Sequence, residues 1–159
     1  MNSTLKRKEI IAAKLQSLRE SIKFIGDNIP DDSEVLKNNR LLKNGIYKEV
    51  EFAIETVIDI CAILNKDLQL GKVDSEDSIF SNLEKAKIFD KNIINIITDM
   101  KKFRNVLVHR YIDINDDEAY NNVNSGLINF GEIISKTEVL LKNNETIEKH
   151  KNINKKTVK

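Results

Sequence analysis

Apolar residues recur at alternating steps of three and four along most of the chain, a spacing that places them on one face of an α-helix. The first such stripe consists of Ile11, Leu15, Leu18, Ile22 and Ile25. Isoleucine-rich segments such as residues 93–97 could suggest a β-strand, but their spacing and the capping residues before them favour a helix. The pattern therefore predicts a chain built from amphipathic helices.

The boundaries of the first two helices follow from one short segment, residues 28–33. The first helix is predicted to end there, because the residue before Pro30 is disfavoured in the α conformation. Acidic and serine side chains in the same segment can cap the next helix. We expect that second long helix to begin near Ser33, to be irregular around residues 44–45, and to end at Gly71.

Capping residues also mark the later helix starts. A short helix follows Asp74 or Ser75, and a third long helix follows Asp90. The run from Asn115 to Glu118 predicts a capping box before the last long helix, with a side-chain acceptor at the cap and a glutamate three residues later. From Asn144 onward the apolar pattern fades, and we expect this polar segment to fray or be disordered.

These elements predict an all-α protein in which four long helices and one short helix form an up-down bundle. No segment repeats at the period that stacked-repeat proteins show, so a solenoid is not expected. We place the bundle domain at residues 1–143 and a polar basic tail at residues 144–159. The fold class alone does not indicate an activity.

Composition narrows the class of protein. Of 159 residues, 40% are hydrophobic and 32% charged. This hydrophobic fraction is enough for the core of one folded domain. The formal net charge of +1 lacks the strongly basic balance of a protein that coats duplex nucleic acid. A single cysteine excludes an intrachain disulfide and a cysteine-based zinc site. With no apolar run near the roughly 20 residues of a membrane span, and no apolar signal-peptide centre, we expect a soluble, cytoplasmic protein.

Only two histidines offer acid–base chemistry at neutral pH. His150 lies in the polar tail, where nothing would fix its position, whereas His109 lies in the segment RNVLVHRY, residues 104–111. Asn105 and His109 are four residues apart and share a helix face. Arg104 lies about 140° around a straight helix from His109. A curled side chain, a tightened helix or a second subunit would be needed to bring the two groups together.

Two interpretations of this segment remain open on the residues alone. In the structural one, arginine and histidine complement the dipole at a helix end, Asn105 forms a packing hydrogen bond and Tyr111 is a half-buried aromatic residue. In the catalytic one, a neutral imidazole takes a proton from a ribose 2′-hydroxyl and a guanidinium binds the scissile phosphate. Such a set suffices for metal-independent RNA cleavage through a 2′,3′-cyclic phosphate, with no cofactor.

The segment from Arg104 through Asn105 and His109 to Tyr111 resembles the Arg-Asn-x-x-x-His-x-Tyr pattern of HepT toxins, which are HEPN-domain proteins. The resemblance extends over about residues 10–141. It implies an all-α fold that dimerises and places two Arg/His sets in a cleft between subunits. It further implies that Arg104 holds the phosphate, His109 acts as general base or acid, and Asn105 supports both.

The resemblance also implies a partner. HepT toxins belong to toxin–antitoxin systems of the type II or type VII kind, and their antitoxin is a minimal nucleotidyltransferase that transfers adenylate from ATP to the tyrosine matched here by Tyr111. An added AMP would bring negative charge and bulk beside His109 and block RNA entry. The expected partners are therefore RNA, such as a tRNA or mRNA, the nucleotidyltransferase antitoxin and a second copy of the chain. The alternative is a non-catalytic HEPN module that binds a nucleotidyltransferase or a nucleotide.

Other polar features have simpler interpretations. Lys101, Lys102 and Arg110 form a basic cluster around Arg104 that could guide RNA phosphates or could merely be a solvated helix end. Cys61 falls on an apolar stripe and is predicted to be a core residue, and Asp59 is predicted to be solvated. The acidic run at residues 113–118 is explained by helix capping, so no metal site is expected. The basic tail is interpreted as solubilising.

Overall fold

The computed structural model of the protein describes residues 5–109 and 113–157, and all regular secondary structure in this part of the chain is helical. The helices are α1 Lys8–Asn28, α2 Ser33–Asn38, α3 Arg40–Asp67, α4 Glu76–Lys85, α5 Lys91–Val108 and α6 Asp116–Thr157. The predicted all-α class is confirmed.

Polar side chains begin most of these helices where the sequence predicted it. Asp32 accepts a hydrogen bond from the Glu34 amide at the start of α2, and Asp90 accepts one from Ile93 at the start of α5. Ser75, one of the two residues predicted to cap α4, forms a reciprocal capping box with Ser78. Such caps satisfy amide groups that have no partner inside the helix.

The predicted irregularity near residues 44–45 is wrong in its position. The chain breaks at Asn39, which has extended backbone angles (φ −115°, ψ 91°) and whose side chain accepts a hydrogen bond from the Leu42 amide. That cap ends α2 and begins α3, so one predicted long helix becomes a short helix and a long one. Gly45 lies inside α3, where a glycine weakens a helix without ending it.

The core is organised around α3, which packs against α1, α4 and α5. The predicted stripe of α1 faces it, with Ile11, Leu18 and Ile25 fully buried. Cys61 lies on the buried side of α3, and burial raises the pKa of its thiol to about 12. Its burial confirms the prediction that Cys61 is a core residue. With this pKa, the thiol stays protonated and unreactive at neutral pH.

Helix α6 crosses the outside of the bundle and is fixed where it begins. Asn115 accepts a hydrogen bond from the Glu118 amide at 3.1 Å, which confirms Asn115 as a cap. The buried Tyr47 of α3 donates to Asp116 at 2.6 Å, and Lys43 pairs with the same carboxylate at 3.1 Å. The acidic run thus serves helix capping and anchoring.

The predicted fraying of the tail is wrong, because α6 continues through Thr157. No proline or glycine follows Gly131, so nothing in the sequence interrupts the backbone hydrogen bonds of the helix. The domain boundary at residues 143–144 stays a prediction. Within the described ranges, no helix combines the length and the apolar character needed to span a bilayer.

An ion pair and backbone hydrogen bonds tie the segment before α1 to the last residue of α3. Asp67, the last residue of α3, is only 7% exposed and accepts hydrogen bonds from the amides of Lys6 and Arg7. The guanidinium of Arg7 adds two more, from Nε at 2.8 Å and Nη2 at 2.6 Å. Burial raises the pKa of the Asp67 carboxyl, but the bonds and charge of Arg7 outweigh burial and hold that pKa below its ordinary value.

A network of amide side chains shapes the connection between α3 and α4. Asn82 donates to the Asn65 side-chain oxygen at 3.0 Å and to the Lys72 carbonyl at 3.1 Å, and Asn65 donates to the Gly71 carbonyl at 3.2 Å. A Cβ added at Gly71, whose φ is +155°, would lie 3.1 Å from the Asn82 amide group. The chain therefore needs glycine here, and the network ties α4 to the end of α3 and to the loop between them.

We expect Asp67→Asn to lower the free energy of unfolding by about 1–3 kcal/mol near neutral pH, because it leaves buried donors poorly paired. Since the folded pKa of Asp67 is lowered, its stabilising contribution is complete above the unfolded pKa and is lost as pH falls through the folded value. Urea unfolding of wild type and variant from about pH 7 to about pH 2 should show the difference shrinking in acid. A difference that stays constant with pH would contradict this account.

A pair of glycine substitutions tests the connection between α3 and α4. Gly71→Ala should lower the free energy of unfolding by about 1–3 kcal/mol, because the new methyl group meets Asn82 in a strained backbone conformation. Gly45→Ala has nothing within 4 Å of the new Cβ and should stabilise α3 by about 0.5–1 kcal/mol. Urea unfolding measures both. Equal effects of the two substitutions would show that the close approach at Gly71 does not matter.

Candidate active site

The last two turns of α5 carry Lys101, Lys102, Arg104 and Asn105 of the predicted site, and packing against α3 and α4 holds this helix in place. Its apolar side is buried through Ile93, Ile97, Met100 and Leu107. Arg104 is the exception among the buried residues of α5, being charged and yet only 8% exposed. A buried guanidinium requires partners, because an unpaired charge away from water is strongly destabilising.

Arg104 has a partner on each of its three nitrogens. Nη1 donates to Glu55 and Nη2 donates to Glu76, both at 2.5 Å, while Nε donates to the Asn105 side chain at 3.0 Å. Burial lowers the pKa of Arg104, but the hydrogen bonds and charges of Glu76 and Glu55 raise it by more, so the pKa lies above its ordinary value. The guanidinium is permanently charged and is held from three directions.

The two carboxylates come from different helices. Glu55 lies midway along α3, and Glu76 is the first residue of α4, directly after its Ser75 cap. The next residue of α4, Asp77, pairs with Lys101 at 2.9 Å. The first turn of α4 therefore covers the side of α5 that carries Lys101 and Arg104, and it neutralises part of the predicted basic cluster.

His109 lies just beyond the last helical residue of α5. Its backbone angles (φ −92°, ψ 52°) are not helical, and its amide donates to the Asn105 carbonyl at 3.1 Å. Its side chain is exposed. Because the amide hydrogen bond to Asn105 is the ordinary backbone bond of an α-helix, His109 keeps its place in the last turn, about 140° around the axis from Arg104.

Asn105 contacts both of its predicted companions. Its side-chain oxygen accepts a hydrogen bond from Arg104, and its backbone oxygen accepts one from the His109 amide. The first of these bonds connects two side chains of the predicted site, whereas the second is an ordinary backbone bond of the last helical turn and does not orient the imidazole. The catalytic roles of the three residues stay predictions.

The remaining predicted site residues differ in their ion pairing and exposure, and two of them are not described by the structure. Lys101 is paired with Asp77, whereas the Lys102 side chain is 74% exposed, with the Asp99 carboxylate 3.8 Å away. Arg110 and Tyr111, the predicted RNA contact and modification site, lie outside the described residues. Among the residues that are described, no three His, Cys, Asp or Glu side chains are grouped to hold a metal ion. Metal independence stays a prediction.

Sequence reasoning missed Glu55 and Glu76. Both read as ordinary acidic residues of amphipathic helices, and they lie 49 and 28 residues before Arg104 in the chain. A faint signal existed, because an arginine on the core side of a helix needs carboxylate partners. Asp59, which lies one turn after Glu55, is exposed and pairs with Lys14 at 3.3 Å, as expected for a solvated residue.

Known proteins are similar to this chain over most of its length. The chain is 26% identical over 126 residues to an mRNA nuclease HepT of Shewanella oneidensis, and this alignment covers 79% of this chain and 94% of that protein. A solved structure of a tri-AMPylated Shewanella oneidensis HEPN toxin in complex with an MNT antitoxin superposes with a TM-score of 0.75 at 25% identity, covering 82% of this chain and 97% of that one.

A second solved structure, of a toxin–antitoxin with AMP-PNP, shares the fold with a TM-score of 0.76 at 24% identity, covering 82% of this chain and 98% of that chain. The family description of ribonuclease HepT-like proteins matches residues 7–137, which include every helix up to the middle of α6 together with Arg104, Asn105 and His109. The chain therefore belongs to the HepT-like ribonuclease family.

Proposed function

We propose that this protein is the toxin of a cytoplasmic toxin–antitoxin pair and an endoribonuclease that cuts RNA with Arg104 and His109. Membership of the HepT-like family supports the class of activity, as does the mRNA nuclease name of a relative. The observation that carries the proposal is a buried Arg104 guanidinium, oriented by three side-chain bonds, at the helix end beyond which His109 is exposed.

The proposed reaction is transfer of a phosphate ester within RNA. The neutral imidazole of His109 accepts the proton of a ribose 2′-hydroxyl, whose oxygen forms a bond to the adjacent phosphorus. The bond from phosphorus to the 5′ oxygen breaks, and a protonated imidazole or water returns a proton to that oxygen. Arg104 stabilises the negative charge that develops on the phosphoryl oxygens. The products are a 2′,3′-cyclic phosphate and a 5′-hydroxyl, and no metal ion takes part.

We further propose that two copies of the chain form the working enzyme, with their α5 ends facing one groove. The exposure of His109 supports this arrangement, since an imidazole at the surface can meet a substrate held between subunits. Lys102, which is largely exposed, and Arg110 would then bind phosphates along an RNA strand, with Lys101 contributing once it leaves Asp77. A single-stranded or tRNA-like target suits so short a basic track.

A nucleotidyltransferase antitoxin is the proposed partner, and Tyr111 its target. A related HEPN toxin is tri-AMPylated in complex with an MNT antitoxin, which supports the same modification here. The phenolic oxygen would attack the α-phosphorus of ATP and release pyrophosphate. Because Tyr111 is two residues beyond His109, the added negative charge and bulk would repel and obstruct RNA at the site.

One observation favours the non-catalytic alternative. Glu55 and Glu76 already bind Arg104, so in a single chain two of its N–H groups are engaged by carboxylates and its charge is partly neutralised. A module that only binds a nucleotidyltransferase or a nucleotide could use the same surface. Incubation of partner-free protein with several classes of RNA separates the two functions, because only the enzyme produces shorter RNA.

Replacement of the proposed base is the first test. His109→Ala should lower the rate constant for RNA cleavage at least about 100-fold, because general base catalysis supplies roughly that factor. His150→Ala, which removes the other histidine of the chain, is the matched control and should cleave like wild type. Circular dichroism and native mass should be unchanged in both variants. Undiminished cleavage by His109→Ala would remove the proposed mechanism.

The modification site has its own test, intact mass after co-expression with a nucleotidyltransferase antitoxin. Wild type should gain adenylate-sized increments, and Tyr111→Phe should not, because it lacks the phenolic oxygen. Tyr120→Phe is the control, since Tyr120 donates to the Pro30 carbonyl at 2.6 Å and serves the fold. Increments that survive in Tyr111→Phe would assign the modification elsewhere.

A further inference from the structure

The partners of Arg104 are arranged so that its guanidinium has one orientation. Glu55 and Glu76, together called the carboxylate clamp, each hold one terminal nitrogen at 2.5 Å. Asn105 holds the third nitrogen at 3.0 Å. Because the two carboxylates belong to different helices, rotation of the planar guanidinium would break at least one of these bonds.

The clamp still leaves donors for a substrate. A guanidinium has five N–H groups, and bonds with described residues use three of them. The two that remain are on the terminal nitrogens Nη1 and Nη2, one on each. A phosphate that reaches them would find two donors whose directions are already set, and donors fixed in this way are what makes a catalytic arginine effective.

The clamp is specific to Arg104. Asp77 follows Glu76 directly in α4 but pairs with Lys101 instead, and Asp59, one turn from Glu55 in α3, pairs with Lys14. The Arg104 side chain is 9% exposed, whereas those of Glu55 and Glu76 are 45% and 34% exposed. The two carboxylates therefore reach the surface from which RNA would arrive, whereas the guanidinium is nearly covered.

We propose that Glu55 and Glu76 are positioning residues for Arg104, which set the direction of its free N–H groups toward the scissile phosphate. This inference rests on the proposed function, because it assigns a role in RNA cleavage to two residues outside the proposed catalytic set. The clamp acts on the reaction in two opposed ways. It orients the guanidinium for the transition state, and its two negative charges repel the phosphate of the bound substrate.

These opposed effects give the clamp a kinetic signature. Removing one charge weakens the orientation of Arg104, so kcat falls. The same change removes repulsion of the phosphate, so KM falls as well. A residue that only stabilised the fold would lower the fraction of active enzyme, which lowers the apparent kcat and leaves KM unchanged.

The experiment measures kcat and KM for the cleavage of a defined RNA. It compares wild-type protein with Glu55→Gln, with Glu76→Gln and with two control variants. Each clamp variant should lower kcat about tenfold and lower KM about twofold to threefold. Asp59→Asn removes an ion-paired acid from α3 and Glu84→Gln removes an exposed acid from α4. Both controls should stay within about twofold of wild type in kcat and in KM.

A second variant keeps the test valid if a glutamine variant folds poorly. Glu76→Asp retains the charge and withdraws the carboxylate from Arg104 by one methylene group. It should lower kcat without lowering KM, since the orientation weakens while the repulsion remains. In an Arg104→Lys background, Glu76→Gln should change kcat less than about twofold, because an ammonium group has no plane to orient.

Several outcomes would overturn the inference. Clamp variants that match the control variants in kcat would show that the carboxylates do not act through Arg104, and with His109→Ala inactive the proposed function would still stand. A kcat above that of wild type would show that the carboxylates block the phosphate instead of positioning Arg104. If wild-type protein cleaves no RNA, the proposed function and this inference fail together.

Discussion

The guanidinium of Arg104 joins three helices, and the arrangement of the site depends on it. Its bonds to Glu55, Glu76 and Asn105 connect α3, α4 and α5 at the end of the bundle where α5 stops. A charge that is 8% exposed requires such partners, so the first turn of α4 must reach α5. The amide network around Gly71 holds α4 against the end of α3. The glycine in this loop therefore also supports the site.

Signals between residues close in sequence predicted much of the fold. The partners of Arg104 were missed because they depend on contacts between distant parts of the chain. The apolar stripe of α1 and the caps at Asp32, Ser75 and Asp90 depend on residues close in sequence, so the pattern alone revealed them. The break at Asn39 was missed because a glycine six residues later looked like the weaker point, whereas an asparagine cap decided the boundary. Glu55 and Glu76 could not be assigned to Arg104, because only tertiary packing brings them together.

The end of α5 leaves the two proposed catalytic side chains pointing in different directions. The helix stops at Val108, but the His109 amide still bonds to the Asn105 carbonyl, so His109 keeps its place in the last turn, about 140° around the axis from Arg104. A buried, oriented cation and an exposed imidazole therefore lie at one helix end without sharing a direction. Joint chemistry on one phosphate requires a curled side chain or a second subunit, and for this reason the proposed enzyme contains two copies of the chain.

The central claim is that the 2′-hydroxyl of RNA is the nucleophile that this site activates. The most direct measurement uses an RNA that carries a single 2′-deoxyribose at the position otherwise cut, with the ends of all products identified by mass spectrometry. The account predicts 2′,3′-cyclic phosphate ends on the unmodified RNA and no cut at the substituted position. Equal cutting at the deoxyribose would contradict it, because the proposed nucleophile would then be absent from a reaction that still occurs.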